Sequence, residues 1–226
     1  MGLLDNAGAA ETSSPPPLYP TLPDVNHRIL HQFVWVSVVW LVAQSSVHAS
    51  TDAPWSALKQ GGHVFLLRHT ETVPGIGDPP GYRLDDCKTQ RNLSAAGRAQ
   101  ARAWGKAFAD NGVQTSDVFS SVWCRCVDTA VLAFGKADTW PALNSHFDTG
   151  SGEIQAEQVR GGITTRMKPG KTLVLVTHQV NITALTGRTP AMGEAVVARV
   201  VQSADKSKPP RLDVVGMLKL PSLKLP

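Results

Sequence analysis

Two histidines and two arginines stand where an α/β protein does chemistry. Arg68 and His69 follow the apolar run His63–Leu67, the segment Ser120–Arg125 follows the run from Asp117, and His178 follows the run Thr172–Val176. Arginine binds phosphate oxygens in bidentate fashion. A neutral imidazole attacks phosphorus as a covalent nucleophile. A second, charged imidazole stabilises oxygens that gain charge as the phosphoryl group moves. This set needs no metal or cofactor, because the protein supplies the cations. One histidine at a strand end is more often structural; two, each with an arginine near, favour phosphoryl chemistry. Cys124 and Cys126 form no zinc motif, since no second Cys/His pair has the required spacing.

The elements that must position these residues are readable. His63–Leu67 after Gly61-Gly62, Asp117–Ser120 and Thr172–Val176 read as buried strands. Ser94 opens a helix with an apolar stripe at Ala95, Ala99, Ala103, Trp104 and Phe108, and Asn111-Gly112 stops it. Cys124–Phe134 reads as a helix closed by Gly135, Ser151–Met167 as a weaker one, and Asn181–Leu185 as the start of a short one. Ala195–Val201 and Leu212–Leu218 are late strands. Thr70–Asn92, rich in Gly and Pro, is a long loop of the kind that is functional or disordered. Strands alternating with helices predict an α/β fold with a mostly parallel sheet. Ligands bind beyond the carboxyl ends of such strands, and all three ends carry His or Arg.

Composition sets the bounds. The chain has 226 residues, 42% hydrophobic and 18% charged, which excludes a disordered or collagenous protein. A net charge of +4 suits anionic ligands but is too diffuse to argue for nucleic acid. Three cysteines are too few for a disulfide scaffold. Cys124 and Cys126 are too close to pair with each other on a helix. Cys87 with one of them is the expected bridge, leaving one thiol free.

Several segments carry a specific resemblance. Arg68-His69-Thr70-Glu71-Thr72 resembles the Arg-His-Gly-Glu-Thr/Ser signature of the histidine phosphatase superfamily, which includes phosphoglycerate mutases. The segment from Asn92 to Ala101 resembles its Leu-Thr/Ser-x-x-Gly-x-x-Gln-Ala helix start. The segment from Ser120 to Ala130 resembles Ser-Ser-x-x-x-Arg-x-x-x-Thr-Ala, and Val176-Thr177-His178 resembles the Val-Thr/Ser-His strand end. Gly193-Glu194 before an apolar strand fits the same pattern. The motifs occur in order across about residues 60–220. The resemblance implies a three-layer α/β/α sandwich of phosphoglycerate mutase-like type.

It also implies roles. His69 becomes the phosphoryl-accepting nucleophile, Arg68 and Arg125 clamp the phosphoryl oxygens, and His178 is the second pocket histidine. The family has an acidic proton donor well after the second arginine. Asp148, 23 positions after Arg125, is the favoured match, with Glu153 and Glu157 as rivals. Thr70 replaces the usual glycine, and its side chain is expected against the phosphate pocket. Glu71, Arg91 and Gln179 are further candidates for substrate contact, with Asn181 beside them; plain surface charge is the competing reading for Glu71 and Arg91.

The N-terminal region reads as processing. Residues 1–26 are a Pro- and Ser-rich leader without periodicity. Residues 27–49 have signal-peptide form: His27-Arg28, the apolar run Ile29–Ala43, and Val47-His48-Ala49 before a cut. The run is short for a bilayer span, which needs ~20 apolar residues. A signal buried this far in predicts a native start at Val25, read from a GTG codon. Residues 50–226 are then an exported phosphatase domain, periplasmic or secreted, not embedded in a membrane after cleavage. The expected activity is that of a histidine acid phosphatase-type phosphomonoester hydrolase. It acts on small phosphate esters or envelope sugar phosphates. The alternatives are a non-catalytic phospho-ligand binding module of the same fold, a mutase and a phosphoprotein phosphatase. Oligomeric state is not readable.

Overall fold

The computed structural model describes residues 52–147, 149–205 and 207–220. The expected leader and signal peptide, and Asp148, lie outside the described residues. Residue by residue, the apolar runs become strands β1 (His63–Arg68), β2 (Thr115–Ser120) and β4 (Thr172–Thr177). The short β3 (Asp138–Thr139) and the late strands β5 (Ala195–Val201) and β6 (Arg211–Leu218) complete a six-stranded sheet ordered β3-β2-β4-β1-β5-β6. Strands β1 to β4 run parallel, while β5 and β6 pair antiparallel at one side. The mostly parallel expectation therefore holds for the half of the sheet that carries the site.

Period-two alternation divides the core. Phe65, Leu67, Val174 and Val176 face one layer with Trp104, Phe108 and Ala130. That layer contains α1 (Asp52–Gln60), α2 (Ala95–Asp110) and α3 (Cys124–Phe134). Val64, Leu66, Leu173 and Leu175 face the other, with Ile163 and Ile182, from α4 (Gly152–Arg166) and α5 (Gln179–Thr186). The three-layer sandwich follows, because a parallel sheet must be covered on both faces. Every residue of β4 is buried, and its central run Leu173–Val176 is accordingly apolar on both faces rather than alternating. Each fully buried Phe or Leu here contributes about 1.5–3 kcal/mol of transfer free energy.

Local signals set the helix ends. Ser94 caps α2, its hydroxyl accepting from the Gly97 N–H at 3.0 Å. Gly135 closes α3 in the left-handed conformation. Helix α1, which the sequence reading leaves unassigned, is short and has Pro54 in its first turn. Strand β3, two residues long, carries no periodic signal.

The Thr70–Asn92 loop is tied down rather than loose. Cys87 is disulfide-bonded to Cys124 at the start of α3, leaving Cys126 as the free, buried thiol. Gln90 accepts from the Cys124 N–H through its side-chain oxygen at 3.0 Å and donates to the Arg83 carbonyl at 2.9 Å. The loop's first turn lies directly on α2: a Cβ at Gly97 would come within 1.9 Å of the Glu71 carbonyl oxygen. The glycine of the Asn92–Ala101 motif thus permits a backbone-to-backbone crossing that places His69.

Two stability predictions follow from these contacts. Gly97→Ala is expected to lose about 1–3 kcal/mol of unfolding free energy through overpacking, measured by urea titration. The Cys87→Ser/Cys124→Ser pair opens a link spanning 37 positions and is expected to lose about 2–4 kcal/mol in the same assay, with the fold retained by far-UV circular dichroism.

Candidate active site

Strand register brings the two histidines together. In the β1–β4 pairing Leu67 stands opposite Val176 and Arg68 opposite Thr177, and the His69 N–H donates to the Thr177 carbonyl at 3.0 Å. The strands therefore end level, and the rings of His69 and His178 lie 5.5 Å apart, edge to face. Both residues are nearly closed off, 3% and 4% exposed. Their immediate surroundings differ. His69 Nδ1 lies 3.0 Å from the Thr70 carbonyl oxygen, which can only accept. The proton therefore sits on Nδ1 and the Nε2 lone pair is free. His178 Nε2 lies 2.9 Å from the Ser121 hydroxyl, which also reaches Asn144 Oδ1 at 3.2 Å. Trp123 packs edge-on at 5.2 Å from the His178 ring.

Electrostatics keep both rings neutral. Burial, with Arg125, Arg68 and Arg91 adding repulsion, holds His69 down to about 3. Burial first, then His69 and the arginines, also hold His178 well below the ordinary histidine value. The expected charged second imidazole is thus neutral in the ligand-free site. The reason is burial first, with the neighbouring guanidiniums adding repulsion. A phosphoryl dianion would reverse that balance.

The arginines converge as predicted, and Arg91 joins them. Arg68 Nη1 donates to Gln179 Oε1 at 2.6 Å and to the Pro190 carbonyl at 3.0 Å. Arg125, almost fully buried, donates through Nη1 to both oxygens of Asp78, at 2.8 and 3.0 Å. Arg91 donates to the Gly75 carbonyl within the loop. In all three guanidiniums Nε is buried without a hydrogen-bond partner. Burial and mutual repulsion lower the Arg68 and Arg91 values from that of free arginine. Such a cluster is costly to assemble unless an anion compensates it.

Other expected residues are placed differently. The Thr70 side chain does not present its hydroxyl to a phosphoryl group. It is fully buried and faces α3, where its hydroxyl pairs with Thr129 Oγ1 at 3.1 Å, the same atom that accepts its N–H at 3.1 Å. Thr129 is the threonine of the Ser120–Ala130 motif, so the substitution for glycine is absorbed by a hydroxyl partner. Glu71 is exposed, and its carboxylate accepts from the Ser94 hydroxyl at 2.7 Å, so it braces the start of α2 rather than His69. Glu153 is exposed and paired with Arg160 at 2.5 Å, and Glu157 is exposed. Asn181 donates to the Asn144 carbonyl at 2.9 Å and bridges α5 to the turn after β3. Cys126 lies 3.6 Å from His178 Nε2, and burial pushes its thiol up to about 12, so it is an inert part of the wall.

Asp78 is the residue that sequence reasoning missed. Its side chain is 7% exposed, and besides Arg125 it accepts from Trp123 Nε1 at 3.1 Å and the Arg91 N–H at 2.9 Å. Burial works to raise its carboxyl, but the hydrogen bonds from Arg125, Arg91 and Trp123 outweigh it and hold it below the usual value. Nothing in the Gly- and Pro-rich stretch around Asp78 distinguishes it from solvated turn charge.

Residues 64–165 match the model of the histidine phosphatase superfamily, branch 1. No curated protein matches the sequence. Among solved structures, the chain is similar to the protein histidine phosphatase SixA complexed with tungstate, at 16% identity and TM-score 0.46, covering 67% of this chain and 94% of the other. It is also similar to YhfR of Bacillus stearothermophilus, at 16% identity and TM-score 0.49 over 67% and 94%. A mycobacterial glucosyl-3-phosphoglycerate phosphatase matches at 16% identity and TM-score 0.48 over 67% and 97%. The histidine phosphatase family match covers the first three of the four motifs, which stand in order on an α/β/α sheet.

Proposed function

We propose that the protein is a phosphomonoesterase that works through a phosphohistidine at His69. One observation carries the reading. Two neutral, buried imidazoles sit among three guanidiniums, each with an unpartnered buried Nε. An oxyanion satisfies such a cluster, and a phosphoryl group offers three equatorial oxygens to it.

The chemistry follows from the residues present. The Thr70 carbonyl holds the Nδ1 proton, so His69 presents the Nε2 lone pair for in-line attack. The P–Nε2 bond forms as the ester P–O bond breaks and the alcohol departs. Water then attacks the phosphohistidine and releases inorganic phosphate. Arg125 and Arg68 neutralise the oxygens, and His178, which takes up a proton from solvent as the dianion arrives, donates to one of them. The enzyme type is then that of a histidine acid phosphatase, acting on small phosphate esters or envelope sugar phosphates without a metal. The Cys87–Cys124 bridge fits an exported, oxidising setting. The near-complete closure of both histidines favours a second reading, a phospho-ligand binding module without turnover.

The test is phosphate release by the purified protein from aryl and sugar phosphates with EDTA present. Turnover is expected in wild type and at background in His69→Ala, with phosphate trapped on His69 by mass spectrometry. Arg125→Ala is expected to lower kcat/KM by about 10²–10³-fold. No release from any ester, by a folded protein that still binds phosphate, would select the binding module.

Protonation can be checked separately. With His69 held near about 3, its ¹⁵N imidazole signals are expected to stay those of the neutral Nδ1–H form down to about pH 4, whereas a free histidine titrates near about 6.5. The sign for stability follows. The unfolded chain takes up this proton below about pH 6.5 and the folded chain does not, so stability contributed by neutral His69 falls as pH drops through that window. A ring that titrates near 6.5 in the folded protein would contradict the burial argument.

A further inference from the structure

Asp78 is the carboxylate bonded directly to a pocket guanidinium. It reaches the site from the Thr70–Asn92 loop, a segment separate from the strand ends that carry the histidines. Both of its oxygens engage the single Nη1 of Arg125, and the Arg91 N–H and Trp123 Nε1 hold it from other sides. The same Nη1 is a natural ligand for a phosphoryl oxygen. A bound ester and Asp78 therefore compete for one donor. The loop that carries Asp78 is anchored beside Arg125 by the Cys87–Cys124 bridge and by Gln90 on the Cys124 N–H. Displaced from Arg125, Asp78 has little room to leave the site.

We propose that Asp78 is the acid that protonates the leaving oxygen, brought into play when a phosphoryl group displaces it from Arg125; the proposal rests on the reading of the site as a phosphatase centre. Burial works to raise the Asp78 carboxyl, and Arg125, through its hydrogen bonds and charge, is the leading partner that opposes it, with the Arg91 N–H and Trp123 adding to the effect. Once a dianion takes Arg125 over, burial and the neighbouring negative charge both favour the neutral acid. In-line attack sends the leaving oxygen away from His69 Nε2. Asp78, held beside the phosphoryl-binding Nη1, meets it there. Its Oδ–H proton passes to the ester oxygen as the P–O bond breaks and the P–Nε2 bond forms, giving the alcohol and the Asp78 carboxylate. That carboxylate then takes a proton from the water that attacks the phosphohistidine. The acid is restored and inorganic phosphate is released. Glu153, exposed and paired with Arg160, makes no contact of this kind.

The leaving group separates this role from a structural one. An aryl oxide departs without help, whereas an alkoxide needs a proton. Rates are measured on 4-nitrophenyl phosphate and on glycerol 3-phosphate for wild type, Asp78→Asn, Asp78→Glu and Asp148→Asn. Asp78→Asn is expected to lose about 10²–10⁴-fold in kcat on the alkyl ester and less than about tenfold on the aryl ester. Asp78→Glu, which keeps a carboxyl, is expected to recover part of the alkyl rate. Equal losses on both esters would overturn the proposal and leave Asp78 as a brace for Arg125. Gains on both would overturn it too, marking Asp78 as a plug. A leaving-group-selective loss in Asp148→Asn instead would move the acid there.

If Asp78→Asn does not fold, the wild-type pH profile decides. Its kcat is expected to show a descending basic limb on the alkyl ester that the aryl ester lacks, and the same limb on both would overturn the assignment. Aryl turnover that depends on His69, with no selective effect at Asp78, keeps the phosphatase reading and rejects this one. Release from neither ester rejects both.

Discussion

The parallel register of β1 against β4 is the constraint on which this site depends. Pairing Arg68 with Thr177 makes both strands stop at one level. The next residue of each chain is a histidine, so the two rings meet without any long-range search. A shift of one residue would turn every side chain of β1 to the opposite face. Register is fixed because both faces are committed: Phe65 and Leu67 on one side, Val64 and Leu66 on the other, all fully buried. The geometry of the histidine pair and the core are thus specified by the same hydrophobic pattern.

Around that pair the protein concentrates positive charge and then limits its cost. Burial keeps both rings neutral, and repulsion from the neighbouring guanidiniums adds to it. Asp78 offsets one guanidinium within the ligand-free site. Neutrality of His69 is also what a nucleophile requires, since a protonated imidazole has no lone pair to give at Nε2. Burial, which destabilises charge, and the nucleophilic role proposed for His69, which needs the free base, point the same way here.

The loop and α3 share the remaining work. The disulfide, Gln90 and the close crossing at Gly97 fasten a Gly/Pro-rich segment that would otherwise have no hydrophobic reason to stay in place. Tyr82 of that segment packs 6.2 Å from Trp123, which in turn packs on His178. The chain of contacts runs from the loop's surface to the buried ring. Thr70 shows how a departure from the family pattern is accommodated, through a hydroxyl partner at Thr129.

By itself the sequence determined the alternation of strands and helices, the two-sided burial of the sheet, and the meeting of Arg68, His69, Arg125 and His178. Each of these rests on apolar runs, end signals or motifs a few residues long, so it is written locally. The tertiary structure decided the rest. It chose Cys124 over Cys126 as the partner of Cys87, turned Thr70 toward α3, and moved Glu71 to the start of α2. It also kept His178 neutral and set Asp78 on Arg125 across 47 positions of chain. Helix α1 and the two-residue β3 likewise exist because the sheet offers them a place, not because their own sequences announce them. The physical reason is common to these cases. A turn-rich loop has no periodicity to read, and a side chain's protonation or partner depends on burial and on charges that only folding brings near.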